Sequence, residues 1–382
     1  MLSKRINFKN FNYKKKKLDI EIYLKDLLAK PNTVLNSLKK SYVNKYDFFK
    51  IKKLSKKLNV RLIGMGGSIL GAQAIYQFCK PKIKKKIYFV DNLTLKPETF
   101  DQKFLNIIIS KSGNTLETKI NSNLYLKKKD KNIFITENNN SYLFRLANKL
   151  KSEIIFHNNF IGGRYSVLSE VGMLPAELMG LKSKNFKQLN NLIKNKNFFN
   201  LLISNVSSIL FFVKNKKYNS IILNYDNNSE NLFKWYQQLV AESLGKKNKG
   251  VLPIISNMPK DNHSVMQLYL DGFKKNFFTF FYAHEKNTKK VGDYLDSKKS
   301  DFGNQNLNKI LYSQKKATEN VFIKQELPFR SFEINSRNEQ TLGELFCFFI
   351  LETILLGKAL KVNPYDQPSV ELIKNETKKI LI

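Results

Sequence analysis

A chain of 382 residues, 42% hydrophobic and 13% aromatic, is long enough for a large core and has the composition of a folded rather than a disordered protein. Its formal net charge of +35 points towards a polyanion partner, but the basic residues are overwhelmingly lysines spread along the whole chain. Only Arg5, Arg61, Arg145, Arg164, Arg330 and Arg337 carry the fork that base reading and bidentate phosphate recognition favour. The charge therefore reads as drift towards Lys, Asn, Ile and Phe on solvated faces, and argues against a specific nucleic-acid partner. With no apolar run of about 18 residues and no apolar signal core near the start, the expectation is a soluble, cytoplasmic protein without a membrane partner. Cys79 and Cys347 lie in apolar segments without metal-ligand spacing and read as reduced, buried thiols. His157, His263 and His284 are too few and too scattered for a His-rich metal site.

Residues 1–58 alternate lysine-rich stretches with mixed apolar spacing and read as an N-terminal helical or irregular cap without visible chemistry. The pattern then changes. Residues 60–63 read as a strand, Gly64-Met65-Gly66-Gly67-Ser68 as a glycine-rich turn, and 69–79 as a helix. Strands follow at 87–90, 106–109, 132–135 and 153–156, with a helix around 141–150. Such alternation implies an α/β unit with a mostly parallel sheet covered on both faces, whose ligand edge lies at the carboxyl ends of the strands.

The strand at 106–109 feeds Ser110-Lys111-Ser112-Gly113-Asn114-Thr115, followed by a helix-compatible segment. Backbone N–H groups at a helix start, hydroxyls from Ser110, Ser112 and Thr115, a close-approach glycine and the Lys111 cation suit a phosphate. The same residues also make an ordinary polar turn with an N-cap. The earlier Gly64–Ser68 turn departs from the dinucleotide spacing, and Asp91 comes late for its acidic partner, so a sugar phosphate between two loops fits better than a nucleotide.

Gly162-Gly163-Arg164-Tyr165 comes next, with Arg164 a retained guanidinium in a lysine-dominated chain, and leads into a helix at 168–179. Helical spacing resumes at 182–214. A second α/β half follows, with strands at 219–225, 251–255 and 277–281 and helices at 232–244 and 264–270, the turn before the latter holding His263. Residues 286–316 read as a polar excursion or long loop. A long buried helix at 339–360, a break at 363–368 and a last helix at 370–379 end the chain.

Gln238 and Glu242 are one helical turn apart and share a face. A surface glutamate is the ordinary explanation for Glu242. With Arg164, His263, Gln367, Lys374 and the phosphate loop, however, it completes the set that aldose–ketose isomerisation requires. One carboxylate moves a proton between C2 and C1 through an enediol, a cation stabilises the enediolate, and an imidazole or ammonium assists ring opening.

In sequence and in order, Ser110 to Thr118, Gly162 to Gly172, Gln238 to Lys246 and Asn363 to Glu371 resemble the glucose-6-phosphate isomerase family, and Gly64 to Gly71 looks like its first glycine loop. The resemblance implies two αβα-sandwich sugar-isomerase (SIS-type) domains with mostly parallel sheets, plus C-terminal helices. The expected division is 1–58 cap, 59–181 first domain with the phosphate loops, 182–338 second domain, and 339–382 helices packing back on the active site. It also implies reversible interconversion of glucose 6-phosphate and fructose 6-phosphate without a metal or other cofactor, in a homodimer sharing its active sites. Carried over by position, Glu242 matches the proton-transfer base and Arg164 the enediolate-stabilising arginine. His263 matches the ring-opening histidine that arrives from the partner subunit, and Lys374 the C-terminal lysine. Gln238 and Gln367 match substrate-binding glutamines, and Gly67, Ser68, Ser110, Lys111, Ser112 and Thr115 the phosphate side. Ser369 stands where the family has glycine, and Ile373 interrupts its glycine-lysine ending. The alternatives are a dual phosphoglucose/phosphomannose isomerase, a non-catalytic sugar-phosphate sensor and a polyanion-binding protein.

Overall fold

Short β-branched runs bounded by polar turns form ten strands in the computed structural model, which describes residues 1–12, 18–56, 58–96, 102–286, 288–291 and 305–381. They are β1 (Ile6–Lys9), β2 (Asn59–Gly64), β3 (Ile87–Val90), β4 (Phe104–Ile109), β5 (Lys131–Thr136), β6 (Glu153–Phe156), β7 (Asn219–Asn224), β8 (Leu252–Asn257), β9 (Asn276–Ala283) and β10 (Phe329–Ile334). Two five-stranded sheets result, in the orders β3-β2-β4-β5-β6 and β1-β10-β9-β7-β8. Every pairing is parallel except β1 with β10. Parallel strands have helices on both faces, so β4 and β9 are buried along their whole length and are mostly apolar without alternation, Asn106 and Thr279 being the polar residues inside them.

Register fixes where the ligand edge lies. Gly64 of β2 is paired with Ile109 of β4, so the glycine turn after β2 and the serine turn after β4 leave the sheet side by side. The two sheets are then clamped together. Helix Leu70–Phe78, which follows the glycine turn, makes the most extensive helix–helix packing in the molecule, against Glu230–Leu244 of the second half. Gln77 holds that joint, donating Nε2 to Asn227 O at 2.8 Å and accepting the Asn231 N–H on Oε1 at 2.7 Å.

Three elements differ from the sequence reading. The stretch read as a cap over 1–58 begins with β1, an edge strand of the second sheet: Ile6 and Phe8 are buried, Asn7 and Lys9 exposed, and Arg5 Nη1 reaches Glu344 Oε1 at 2.8 Å. β10 was hidden because Arg330, Ser331 and Glu333 make half of the strand polar. The stretch 286–316, expected as a loop, becomes helical from residue 307, within Leu307–Lys324, capped by Asn306 Oδ1 on the Asn308 N–H at 2.9 Å; residues 287 and 292–304 lie outside the described residues.

Helix Glu339–Ala359 runs through the core, buried without interruption from Thr341 to Gly357. Its Glu352 is satisfied by Arg330, by Asn205 and by Tyr236, whose hydroxyl lies 2.8 Å from Oε1. A buried charge survives only with such complete pairing. Among the described residues one helix, Lys196–Lys214, is long and apolar enough to cross a membrane, but 56% of its apolar window is buried inside the chain.

Candidate active site

The serine turn is a closed loop. Ser110 Oγ and Thr115 Oγ1 are 2.9 Å apart, and Gly113 sits at φ +65°, where a Cβ would lie 2.1 Å from Ser141 Oγ, so only glycine fits. Its carbonyl and the Asn114 side chain bind the backbone of the next helix, Tyr142–Lys149. Thr115 occupies the N-cap of helix Leu116–Tyr125, yet its hydroxyl caps nothing, and Thr118 Oγ1 in the first turn is buried without a partner. Uncapped N–H groups and an orphan hydroxyl beside a dipole's positive end are what an anion takes up, which favours the phosphate reading over a self-capped turn. The Lys111 ammonium is directed elsewhere, to Asn159 O at 2.8 Å and Glu137 Oε1 at 3.6 Å. Ser112 Oγ accepts the Asn114 N–H at 3.3 Å. Behind the turn His157 is buried, and its pKa is pushed down to about 4 by that burial.

The glycine turn, Gly66–Ser68, faces the second half directly. Gly66 sits at φ +52°, a conformation strained for other residues, and a Cβ there would stand 2.8 Å from Gln238 Nε2 and push that amide aside. A Cβ on Gly67 would collide with the backbone of Gly163 at 2.2 Å. Ser68 closes the turn through its N–H to Met65 O at 3.1 Å.

Arg164 stands at the junction with a side chain only 1% exposed. All five of its N–H groups are used: Nε on Ser243 Oγ at 2.8 Å, Nη1 on Glu242 Oε2 at 3.2 Å and Gln367 Oε1 at 2.7 Å, Nη2 on Pro364 O at 2.6 Å and Asp366 O at 3.0 Å. Such saturation makes burial of a guanidinium tolerable and fixes its plane. Tyr165 supports it, its hydroxyl 2.8 Å from Ser243 Oγ and 3.1 Å from Pro364 O, while Trp235 Nε1 donates to the Arg164 carbonyl at 3.1 Å.

Among the described residues Glu242 is the only charged side chain in an ion pair with Arg164. It lies near the end of helix Glu230–Leu244, 31% exposed, with Gln238 Nε2 on its other oxygen at 2.8 Å. The Gln238 carbonyl oxygen is buried and unpartnered, an acceptor left over beside the carboxylate. Lys246 bonds Asp366 at 2.9 Å, and that hydrogen bond holds the Asp366 carboxyl below its usual range, so the segment 363–367 is strapped across the cluster.

Gly67, Arg164, Gln238, Glu242 and Gln367 thus come together, with Ser68 in the adjoining turn and Ser110, Ser112 and Thr115 on the neighbouring strand end. Three expected side chains do not join them within one chain, the first being Lys111, whose ammonium is turned to Asn159 O and Glu137. His263 ends the exposed turn Lys260–His263 after the edge strand β8, and Lys374 pairs with Glu371 at 2.6 Å on Val370–Leu381, a terminal helix with no buried residue. The sequence reading assigned no role to Ser243, Tyr165, Lys246 or the Pro364 carbonyl. A serine and a tyrosine buried directly beside Glu242 and Arg164 were the available signal.

Two mostly parallel α/β layers, one ending in paired glycine and serine turns and the other offering a carboxylate to a buried arginine, define the class: a SIS-type sugar-isomerase fold of two αβα sandwiches with C-terminal helices. A hypothetical protein from Thermus thermophilus has this fold, with a TM-score of 0.82 at 21% identity over 95% of this chain and 94% of that one. So does a glucose-6-phosphate isomerase from Chlamydia trachomatis, at a TM-score of 0.69 and 18% identity over 90% and 77%. A glucose-6-phosphate isomerase of Methanocaldococcus jannaschii is 32% identical over 350 residues, 87% of this chain and 85% of that protein. The family described as phosphoglucose isomerase matches residues 14–382. The chain belongs to the phosphoglucose isomerase family.

Proposed function

We propose that the protein interconverts glucose 6-phosphate and fructose 6-phosphate through a cis-enediol. The observation that carries this reading is the contact of Glu242 with Arg164 and Gln238 directly against the Gly66–Ser68 turn. In this reading residues 59–181 supply the phosphate grip: the N–H groups of the helix after Thr115, with Ser110, Ser112, Thr115 and Ser68, take the dianion. Residues 182–338 supply the base, and 339–382 return Gln367 to the site. Glu242 removes the C2 proton of the open aldose and returns it at C1. Arg164 stabilises the oxyanion that develops on the enediolate.

Because every Arg164 donor is already occupied, the enediolate oxygen replaces an existing acceptor. The exposed Gln367 amide and Glu242 itself, as it takes up the proton, are the two partners on Nη1 able to give way; the Nη2 acceptors are backbone carbonyls. Pre-set donors that exchange one acceptor for another lose little to reorganisation. Ring opening falls to His263 and Lys374. The exposed position of His263 on an edge turn suits its delivery to a partner subunit, and hence a homodimer with shared sites, working in the cytoplasm.

The test is to supply fructose 6-phosphate to the purified protein in D₂O and follow the products by NMR. Glucose 6-phosphate carrying deuterium at C2 is expected, since a carboxylate that holds the proton exchanges it with solvent. Absence of any glucose 6-phosphate would overturn the proposal.

A further inference from the structure

A second candidate site lies away from the catalytic cluster, where helix Phe48–Leu54 leans against the end of helix Glu170–Leu178. The cleft there has a volume of about 720 Å³ and is lined by Phe49, Lys52, Lys53, Lys56, Lys85 and Glu177, among others. That size falls within the usual range for small-molecule pockets. Phe49, Lys52 and Lys53, at i, i+3 and i+4, share one helix face, and Lys56 follows in the next turn. Across the cleft Lys85 Nζ donates to the Ser55 carbonyl at 3.0 Å.

The charge in this cleft is not balanced. Among the described residues none of the four lysines forms an ion pair, although Lys50 on the same helix is paired with Glu153. The one carboxylate in the lining, Glu177, is already committed, accepting the Tyr46 hydroxyl at 3.1 Å on one oxygen and the Ser183 hydroxyl on the other. Burial draws the Lys85 ammonium below its usual pKa range, as expected for a cation enclosed without a counter-charge. Phe49 is 85% exposed at the rim, and the exposed Gly180, at φ +88°, adds no side chain to the lining. Four ammonium groups exceed what one monophosphate needs, and an exposed ring beside them provides a stacking face for a base.

We infer that this cleft binds a nucleoside triphosphate, with the phosphates on Lys52, Lys53, Lys56 and Lys85 and the base against Phe49. The site is separate from Glu242 and Arg164, so it stands or falls independently of the isomerase reading. The test is equilibrium dialysis of the full chain with ATP, tripolyphosphate, adenosine and a short single-stranded RNA at near-physiological salt. One ATP per chain is expected, unaffected by excess fructose 6-phosphate. Lys53→Glu/Lys56→Glu should weaken ATP at least about tenfold. Phe49→Ala should weaken ATP by about fivefold and leave tripolyphosphate unchanged. Circular dichroism melts confirm that both variants fold. The inference is overturned if ATP binds the double lysine variant as it binds the wild type, if fructose 6-phosphate displaces it, if tripolyphosphate binds as tightly as ATP, or if only the RNA saturates.

Discussion

The two sheets share an architecture but carry very different residues at their carboxyl edges. At the first edge β2 and β4 open into Gly66-Gly67-Ser68 and Ser110-Lys111-Ser112-Gly113, turns of small residues apart from Lys111, whose ammonium is bonded to Asn159 O. At the second edge the ends of β7, β9 and β10 are tied to one another by charge. Arg337 bonds Asp226 at 2.8 Å and Glu285 at 2.6 Å, and His284 meets Glu333 at 3.3 Å, with Lys315 and Lys316 closing the far side of Glu333. The same fold therefore makes a receptacle where small residues predominate and a seam where charge is paired. The base reaches the receptacle from the helix Glu230–Leu244, on the face of the second sheet, rather than from that sheet's own carboxyl edge.

The largest expected break of this contrast is at Arg164. Arg164→Lys keeps the charge but loses the fork that bonds five acceptors, and kcat should fall by about 10²- to 10³-fold in a steady-state assay, with a smaller change in KM. A seam residue should behave in the opposite way. Arg337 and Asp226 are 6% and 7% exposed, so Arg337→Ala strands a buried carboxylate and should cost about 3–5 kcal/mol in urea denaturation while kcat stays within about threefold.

A smaller effect separates the edges by pH. Buried His157, behind the serine turn, has its pKa pushed down from 6.5 to about 4, so the folded protein keeps it neutral while the unfolded chain protonates it. Its contribution to stability is complete above pH 6.5 and is lost as the pH falls towards 4. The loss amounts to about 3 kcal/mol at most, by the linkage of one pKa unit to about 1.4 kcal/mol. Urea midpoints at pH 7 and pH 5 should therefore differ less in His157→Gln than in the wild type.

Much of this contrast was legible in the sequence. Strands β2 to β9 announce themselves as apolar runs, and β3 and β6 begin and end where the residues suggest. Arg164, Gln238 and Glu242 stand out as polar groups in glycine-rich or apolar settings, and the structure brings them together. The seam and the edge strands were not legible. β1 is four residues among lysines, and β10 gains its place through Arg330, whose partners Glu352, Asn205 and Tyr236 are scattered along the chain. The Arg164 cradle was hidden for a related reason. Two of its five acceptors are backbone carbonyls, of Pro364 and Asp366, and a carbonyl has no sequence signature. Lys374 shows the converse: a position that motif order places at the site lies, within one chain, on an exposed helix paired with Glu371.

The division of labour itself is tested most directly by measuring phosphosugar affinity and turnover side by side in Glu242→Gln and in Ser110→Ala/Thr115→Val. If the first edge grips and the second half moves the proton, Glu242→Gln should lose about 10³-fold or more in kcat with its affinity within about threefold of the wild type, and the serine-turn variant should lose about tenfold in affinity with kcat within a few-fold. Normal turnover in Glu242→Gln, or unchanged affinity in the serine-turn variant, would contradict it.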